Sequence, residues 1–157
     1  MSHRAKGFSL IELLVTVSLV GILAAIAIPS FTSVIQNSKA DTEISDLQRA
    51  LNYARLEAIN RGVSTQVLPV SGTAWNSELM VVASATPTAD KALRRIAAMS
   101  SGAAIAMVPN VTLIEFNNLG GPVSLTAPLV VTYTLGTTTK TINVCLNGRI
   151  VLGGSCT

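Results

Sequence analysis

Residues 7 to 29, GFSLIELLVTVSLVGILAAIAIP, decide how the rest of the chain is read. From Phe8 to Ile28 run twenty-one residues with one charge, Glu12, and no proline, and at about 1.5 Å per residue they make a helix long enough for a bilayer core. The stretch reads as a membrane span that Pro29 closes or kinks, with Gly21 a second weak point inside it. Ahead of it stand His3, Arg4 and Lys6, a basic leader that the positive-inside bias holds on the cytoplasmic side, so everything past Pro29 is expected to be exported. A carboxylate inside such a helix costs roughly 2.5–3.5 kcal/mol on insertion scales. No Lys, Arg or His lies between Gly7 and Lys39 to neutralise it, so the partner of Glu12 is expected on another molecule. A new amino terminus, made by cutting between Gly7 and Phe8, is the natural candidate. An ordinary secretory signal, with Ala25-Ile26-Ala27 as its cleavage site, and a plain single-pass anchor are the competing readings. Neither explains the Gly-Phe-x-x-x-Glu spacing.

Beyond Ser30 the pattern changes. Ile44, Leu47, Leu51, Ala54 and Ala58 recur at steps of three and four, which lines one face of an amphipathic helix. Charged side chains fall mostly on the other faces, with Asp46 and Arg49 placed to pair, and Gly62 stands where a helix stop belongs. Past Gly62 β-branched residues take over. Strands are expected at Val63–Val70, Leu79–Ala83, Ala104–Val108, Val111–Phe116, Leu129–Leu135, Lys140–Leu146 and Arg149–Leu152. Asn147-Gly148 is the strongest turn signal and predicts a two-residue type I′ hairpin. Thr86–Gly102 reads either as a short helix or as a loop. The fold class is α+β: a long amino-terminal helix packed on an antiparallel sheet domain.

The +3 formal charge includes Arg4 and Lys6, and without them nine basic side chains face eight acidic ones. Near-neutrality, with no basic run, gives little support to nucleic-acid binding. Cys145 and Cys156, in the exported part, are expected to form a disulfide. The one histidine, His3, belongs to the leader, so the mature chain lacks the usual base of a serine or cysteine triad and a credible zinc ligand set. No enzyme, metal site or cofactor is expected. Trp75 reads as a core or strand-edge residue. Arg55, Glu57 and Arg61 read equally as a solvated stripe or as contacts to a neighbouring subunit.

Gly7, Phe8 and Glu12 in the order G-F-S-L-I-E, behind a basic leader, resemble the class III signal of type IV pilins and type II secretion pseudopilins. The resemblance implies cleavage after Gly7 by a prepilin peptidase, N-methylation of Phe8, and pairing of Glu12 with the amino terminus of a neighbouring subunit during assembly. Leu51, Ala54-Arg55, Glu57-Ala58-Ile59 and Arg61-Gly62, with I-N-V-C-L-N-G-R ending at Arg149, resemble the GspH/FimT-like group of minor pilins and pseudopilins. Four segments are then expected: leader 1–7, assembly helix 8–28, amphipathic continuation 29–62 and β-rich domain 63–157. So are an inner-membrane precursor with a periplasmic domain, an assembly platform, and other major and minor pilins as partners in a hetero-oligomeric filament. The resemblance gives a minor pilin of the filament tip or its initiation, or the matching secretion pseudopilin. A DNA-binding tip receptor would use Lys140 and Arg149, although Arg149 is followed by Ile150 and Val151 where DNA-binding members tend to carry a second basic residue.

Overall fold

The computed structural model describes residues 8–83 and 88–156. Helix α1 spans Leu10–Arg61, 52 residues. It runs through Pro29, so the proline does not close the helix as one of its two readings required. A proline after several helical turns removes one backbone hydrogen bond, which flanking turns can tolerate. The chain divides into two compact units, one ending at Ile35 and one beginning at Gln36.

In the first unit the helix carries no core of its own. Every Val, Leu, Ile and Phe from Phe8 to Ile35 is exposed, between 41 and 82 %. By length and composition α1 is apolar enough here to cross a membrane.

In the second unit the 3.6-residue period does what the sequence predicts: Ile44, Leu47, Leu51, Ala54 and Ala58 are at most 1 % exposed, and Ala40 extends the same face. Among the described residues eight strands follow: β1 Thr65–Pro69, β2 Leu79–Ala83, β3 Arg94–Ile96, β4 Ala103–Val108, β5 Ile114–Phe116, β6 Leu129–Leu135, β7 Thr138–Val144 and β8 Ile150–Leu152. They form two four-stranded antiparallel sheets, ordered β3-β2-β1-β5 and β4-β6-β7-β8. Period-two alternation sends Leu129, Val131, Tyr133 and Leu135 of β6 inward, together with Ile142 and Val144 of β7. Phe116, Val67, Val81 and Trp75 complete the core from the other sheet and its loops. Trp75 is 6 % exposed, and its indole N–H donates to the Val111 carbonyl at 2.9 Å.

The structure corrects the expected strands: β5 begins at Ile114, three residues later than expected, β1 runs from Thr65 to Pro69 rather than from Val63 to Val70, and three further differences follow. The ambiguous stretch Thr86–Gly102, whose first two residues lie outside the described residues, holds a single 3-10 turn at Ala89–Lys91 and the edge strand β3. Two arginines in β3 hid it, yet edge strands commonly carry charge. Strand β7 starts at Thr138 and ends at Val144, two residues earlier than expected at each end. The final hairpin is also not type I′. Asn147 is not among the residues of positive φ, and Gly148 alone takes the left-handed conformation, φ 79°. Gly148 N–H donates to Cys145 O and Cys145 N–H to Arg149 O, each at 2.8 Å, which is a type I turn closed by a left-handed glycine. Leucine at position 146 fits this turn, whereas type I′ would have forced Leu146-Asn147 or Asn147-Gly148 into a second positive φ.

Candidate assembly sites

The amino-terminal site is built by the first turn of α1. Ser9 Oγ accepts the Ile11 amide at 3.2 Å, and the Glu12 carboxylate accepts the Ser9 amide at 3.3 Å. This is a capping box: two amides that the helix start leaves unpaired are satisfied by Ser9 and Glu12 together. Glu12 thus has a local hydrogen bond while lacking a cationic partner among the described residues. Ser9 and Glu12 carry the S-x-x-E signature of such a box at the start of the apolar run. Phe8 is 82 % exposed, and Gly7 lies outside the described residues.

A second constellation centres on Glu43, one of the charged side chains of α1. Its carboxylate accepts the Ser100 amide at 2.9 Å, the Ser100 hydroxyl, and the Tyr133 hydroxyl at 2.7 Å. Burial pushes its pKa up, but these hydrogen bonds, with Lys39 nearby, outweigh burial and hold the carboxyl below its ordinary range. Burial and the same carboxylate push the Tyr133 hydroxyl well above its ordinary value. One side chain therefore stitches α1 to β6 and to the segment between β3 and β4.

The far end of the same helix is joined to the final hairpin. Arg55 Nε donates to Gly120 O at 3.0 Å, and a Cβ on Gly148 would fall 1.9 Å from that same oxygen. Only glycine fits there. The Arg55, Glu57 and Arg61 stripe accordingly splits: Arg55 binds the 117–122 loop, while Glu57 and Arg61 pair with each other. Arg94 lies over the Tyr53 ring, 5.6 Å from its centroid.

The disulfide joins Cys145 to Cys156. Gly153 N–H donates to Thr141 O at 2.8 Å and Asn143 donates to Gly154 O, so the tail folds back along β7. Lys140 and Arg149 are not brought together. Lys140 sits in β7 and pairs with Asp41 of α1 at 2.7 Å, whereas Arg149 enters β8 and donates to Ser155 O at 3.3 Å. Five residues of extended strand, about 16 Å, separate Lys140 from the residue opposite Arg149. Among the basic residues of the 91–95 segment, Arg95 pairs with Glu78 at 3.1 Å.

Residues 43–149, from the Glu43 network to the hairpin turn, match the family described as type II transport protein GspH. The chain belongs to the GspH family. Residues 2–28 match the prokaryotic N-terminal methylation motif, so this GspH-family chain is type IV pilin-like, a minor pilin or pseudopilin, and the family is one of structural subunits. A fimbrial protein of Pseudomonas aeruginosa is 49 % identical over 55 residues, 33 % of this chain and 36 % of that protein. The type IV major fimbrial protein FimA of Dichelobacter nodosus is 34 % identical over 87 residues, 55 % of this chain and 53 % of that protein. The chain thus spans about a third to a half of the curated relatives it matches. Among solved structures, the type IV minor pilin FimU of P. aeruginosa superposes with a TM-score of 0.65 at 18 % identity, covering 77 % of this chain and 97 % of FimU. The minor pseudopilin EpsH of the Vibrio cholerae type 2 secretion system gives 0.51 at 15 % identity, covering 73 % and 95 %. These two likenesses show the fold. The methylation-motif match and the apolar helix fit membrane anchoring.

Proposed function

We propose that this GspH-family chain is a minor type IV pilin: a subunit held in the inner membrane by residues 8–28 with its carboxy-terminal part in the periplasm, cut by prepilin peptidase between Gly7 and Phe8, methylated at Phe8, and used in initiating or tipping a pilus. The observation that carries this reading is the uncovered apolar half of α1 with its single charge. In a filament this surface passes from lipid to a bundle of like helices, and Glu12 exchanges its hydrogen bond to Ser9 for an ion pair with a neighbour's amino terminus. Leader 1–7, assembly helix 8–28, amphipathic continuation 29–62 and β-rich domain 63–157 are the working parts, and Pro29 is a point at which the helix bends as it packs.

The experiment is mass spectrometry of sheared, purified pili from the native host. Peptides of this chain with a methylated amino-terminal Phe8, at low abundance, support the reading. Processed chain that stays in the inner membrane and never enters pili favours the second reading, a minor pseudopilin of a type II secretion system, which draws on the family match and the EpsH-like fold. A DNA-binding tip receptor has less support, because Lys140 is ion-paired and distant from Arg149 along β7. DNA binding that is salt-sensitive and lost on replacing Lys140 and Arg149 by Ala would restore it.

A further inference from the structure

Of the four outer strands of the two sheets, three are guarded. Strand β3 is three residues long and carries Arg94 and Arg95. Strand β5 is backed by the chain that follows it: Val123 N–H donates to Glu115 O at 2.8 Å, and Phe116 bridges Pro122. Along β8 the helix reaches over, with Gln48 Nε2 3.5 Å from Ile150 O. Short length, charge and cover are devices that stop an outer strand from pairing with foreign chain. Strand β4 has neither of the first two, being six residues, Ala-Ala-Ile-Ala-Met-Val, without a charge.

The ladder fixes which groups this edge presents. Leu135 and Thr138 face each other across a two-residue loop, so they form a hydrogen-bonded pair, and the odd-numbered residues of β6 bond to β7. The even-numbered residues of β6 then bond to β4, at Ala104, Ala106 and Val108. The N–H and C=O groups of Ala103, Ile105 and Met107 point the other way. Ala103 shows it directly, since its N–H donates to Ser100 O at 2.9 Å and its carbonyl accepts Asn76 Nδ2 at 3.0 Å. Those two bonds also hold the start of the strand in place. On that side the backbone groups of Ile105 and Met107 have no hydrogen-bond partner among the described residues. Beside them Ala104 and Ala106 are small and exposed, Val108 is 69 % exposed, and Ile105 lies half-buried at the margin of the core.

We propose that the β4 edge receives an extended segment of a different pilin-like subunit, which adds a fifth strand to the β4-β6-β7-β8 sheet. The backbone groups of Ile105 and Met107 set its register, and apolar residues at its alternate positions cover the side chain of Ile105. A strand this short buries far less than the roughly 1,200 Å² of a stable specific complex. The occupant is therefore a molecule held nearby by another contact. The uncovered apolar half of α1 supplies that contact, because helices packed side by side raise the effective concentration of whatever each one carries. A second copy does not fit this role: two identical free edges would pair with each other and close a dimer, whereas a low-abundance subunit meets chains other than itself. The proposal rests on the filament-subunit reading and gives that subunit a way of selecting its neighbour outside the apolar helix.

The test uses the full chain in its native host. Val108 is replaced by photoreactive p-benzoylphenylalanine, the cells are irradiated, and the cross-linked chains are identified by mass spectrometry. The expected product joins position 108 to an extended segment of another chain that bears the N-terminal methylation motif. Ile105→Pro removes an N–H that faces away from β6, and Ala104→Lys combined with Ala106→Lys places charge at two exposed positions of the edge. Each lowers the cross-link yield about tenfold or more, while the Cys145–Cys156 disulfide still forms. An undiminished yield in the lysine variant, a cross-link to a second copy of this chain, or no cross-link in chain cleaved after Gly7 overturns the edge contact and leaves the filament reading standing. Chain that is never cleaved after Gly7 sinks the filament reading and the edge contact with it.

Discussion

Leu14 and Leu51 belong to one helix and meet opposite fates: Leu14 is 60 % exposed and Leu51 fully buried. The backbone is the same and the side chain is the same. What differs is what the chain itself provides around each. From Gln36 onward α1 shows a stripe of apolar residues on one face, and two sheets of the same chain cover it. Up to Ile35 the helix is apolar on all sides, which no single layer of protein can cover, and it requires lipid or other helices. The first half is therefore stable in company, and the second half is stable by itself.

The sharpest way to break this contrast is a pair of truncations. Leu51→Ala is expected to lower the unfolding free energy of the sheet-bearing unit by about 2–5 kcal/mol. Leu14→Ala is expected to change it by less than about 0.5 kcal/mol, and denaturant melts of both variants in detergent check the pair. Equal losses would mean that the two halves share one cooperative core.

A smaller loss, about 2–3 kcal/mol, is expected when Cys145 and Cys156 are both replaced by Ser, because the closed loop is short. Limited proteolysis should then nick the tail after Leu152 while α1 beyond Gln36 stays protected.

Glu43 comes next. Glu43→Leu leaves the buried Tyr133 hydroxyl without its acceptor, a cost of about 1–3 kcal/mol. Its pH dependence has a definite sign. The folded pKa of Glu43 lies below the unfolded value, so its contribution is full above the ordinary glutamate pKa near 4.3 and fades as pH falls through the lower folded value. Acid melts of wild type and variant should converge over that window, and a gap that persists at the lowest pH would remove Glu43 from this role.

The smallest effect belongs to the Lys140–Asp41 pair, with side chains 34 and 60 % exposed. Lys140→Ala should cost at most about 1 kcal/mol, and less in high salt.

Periodicity made both halves of α1 legible, because a membrane span and a half-buried helix leave different hydrophobic patterns. The pairing of the cysteines was legible from compartment and number. The Glu43 site was not: its partners Ser100 and Tyr133 lie 57 and 90 residues away, and a lone carboxylate on a helix looks like any solvated charge. The Arg55 contact to Gly120 was hidden in the same way, since no local pattern announces a hydrogen bond across 65 residues. The turn at Asn147-Gly148 was placed correctly and typed wrongly, because an Asn-Gly pair is compatible both with a two-residue turn and with a type I turn ending in glycine.

At that turn, Gly148 touches the carbonyl of Gly120, and the same oxygen accepts Arg55. Three stretches of chain are thus keyed to one atom, which divides the hairpin into a tip free to vary and a root that is not. Leu146 and Asn147 can be exchanged to suit whatever the subunit meets, while any side chain at 148 would lift the hairpin from the helix and move every surface it carries.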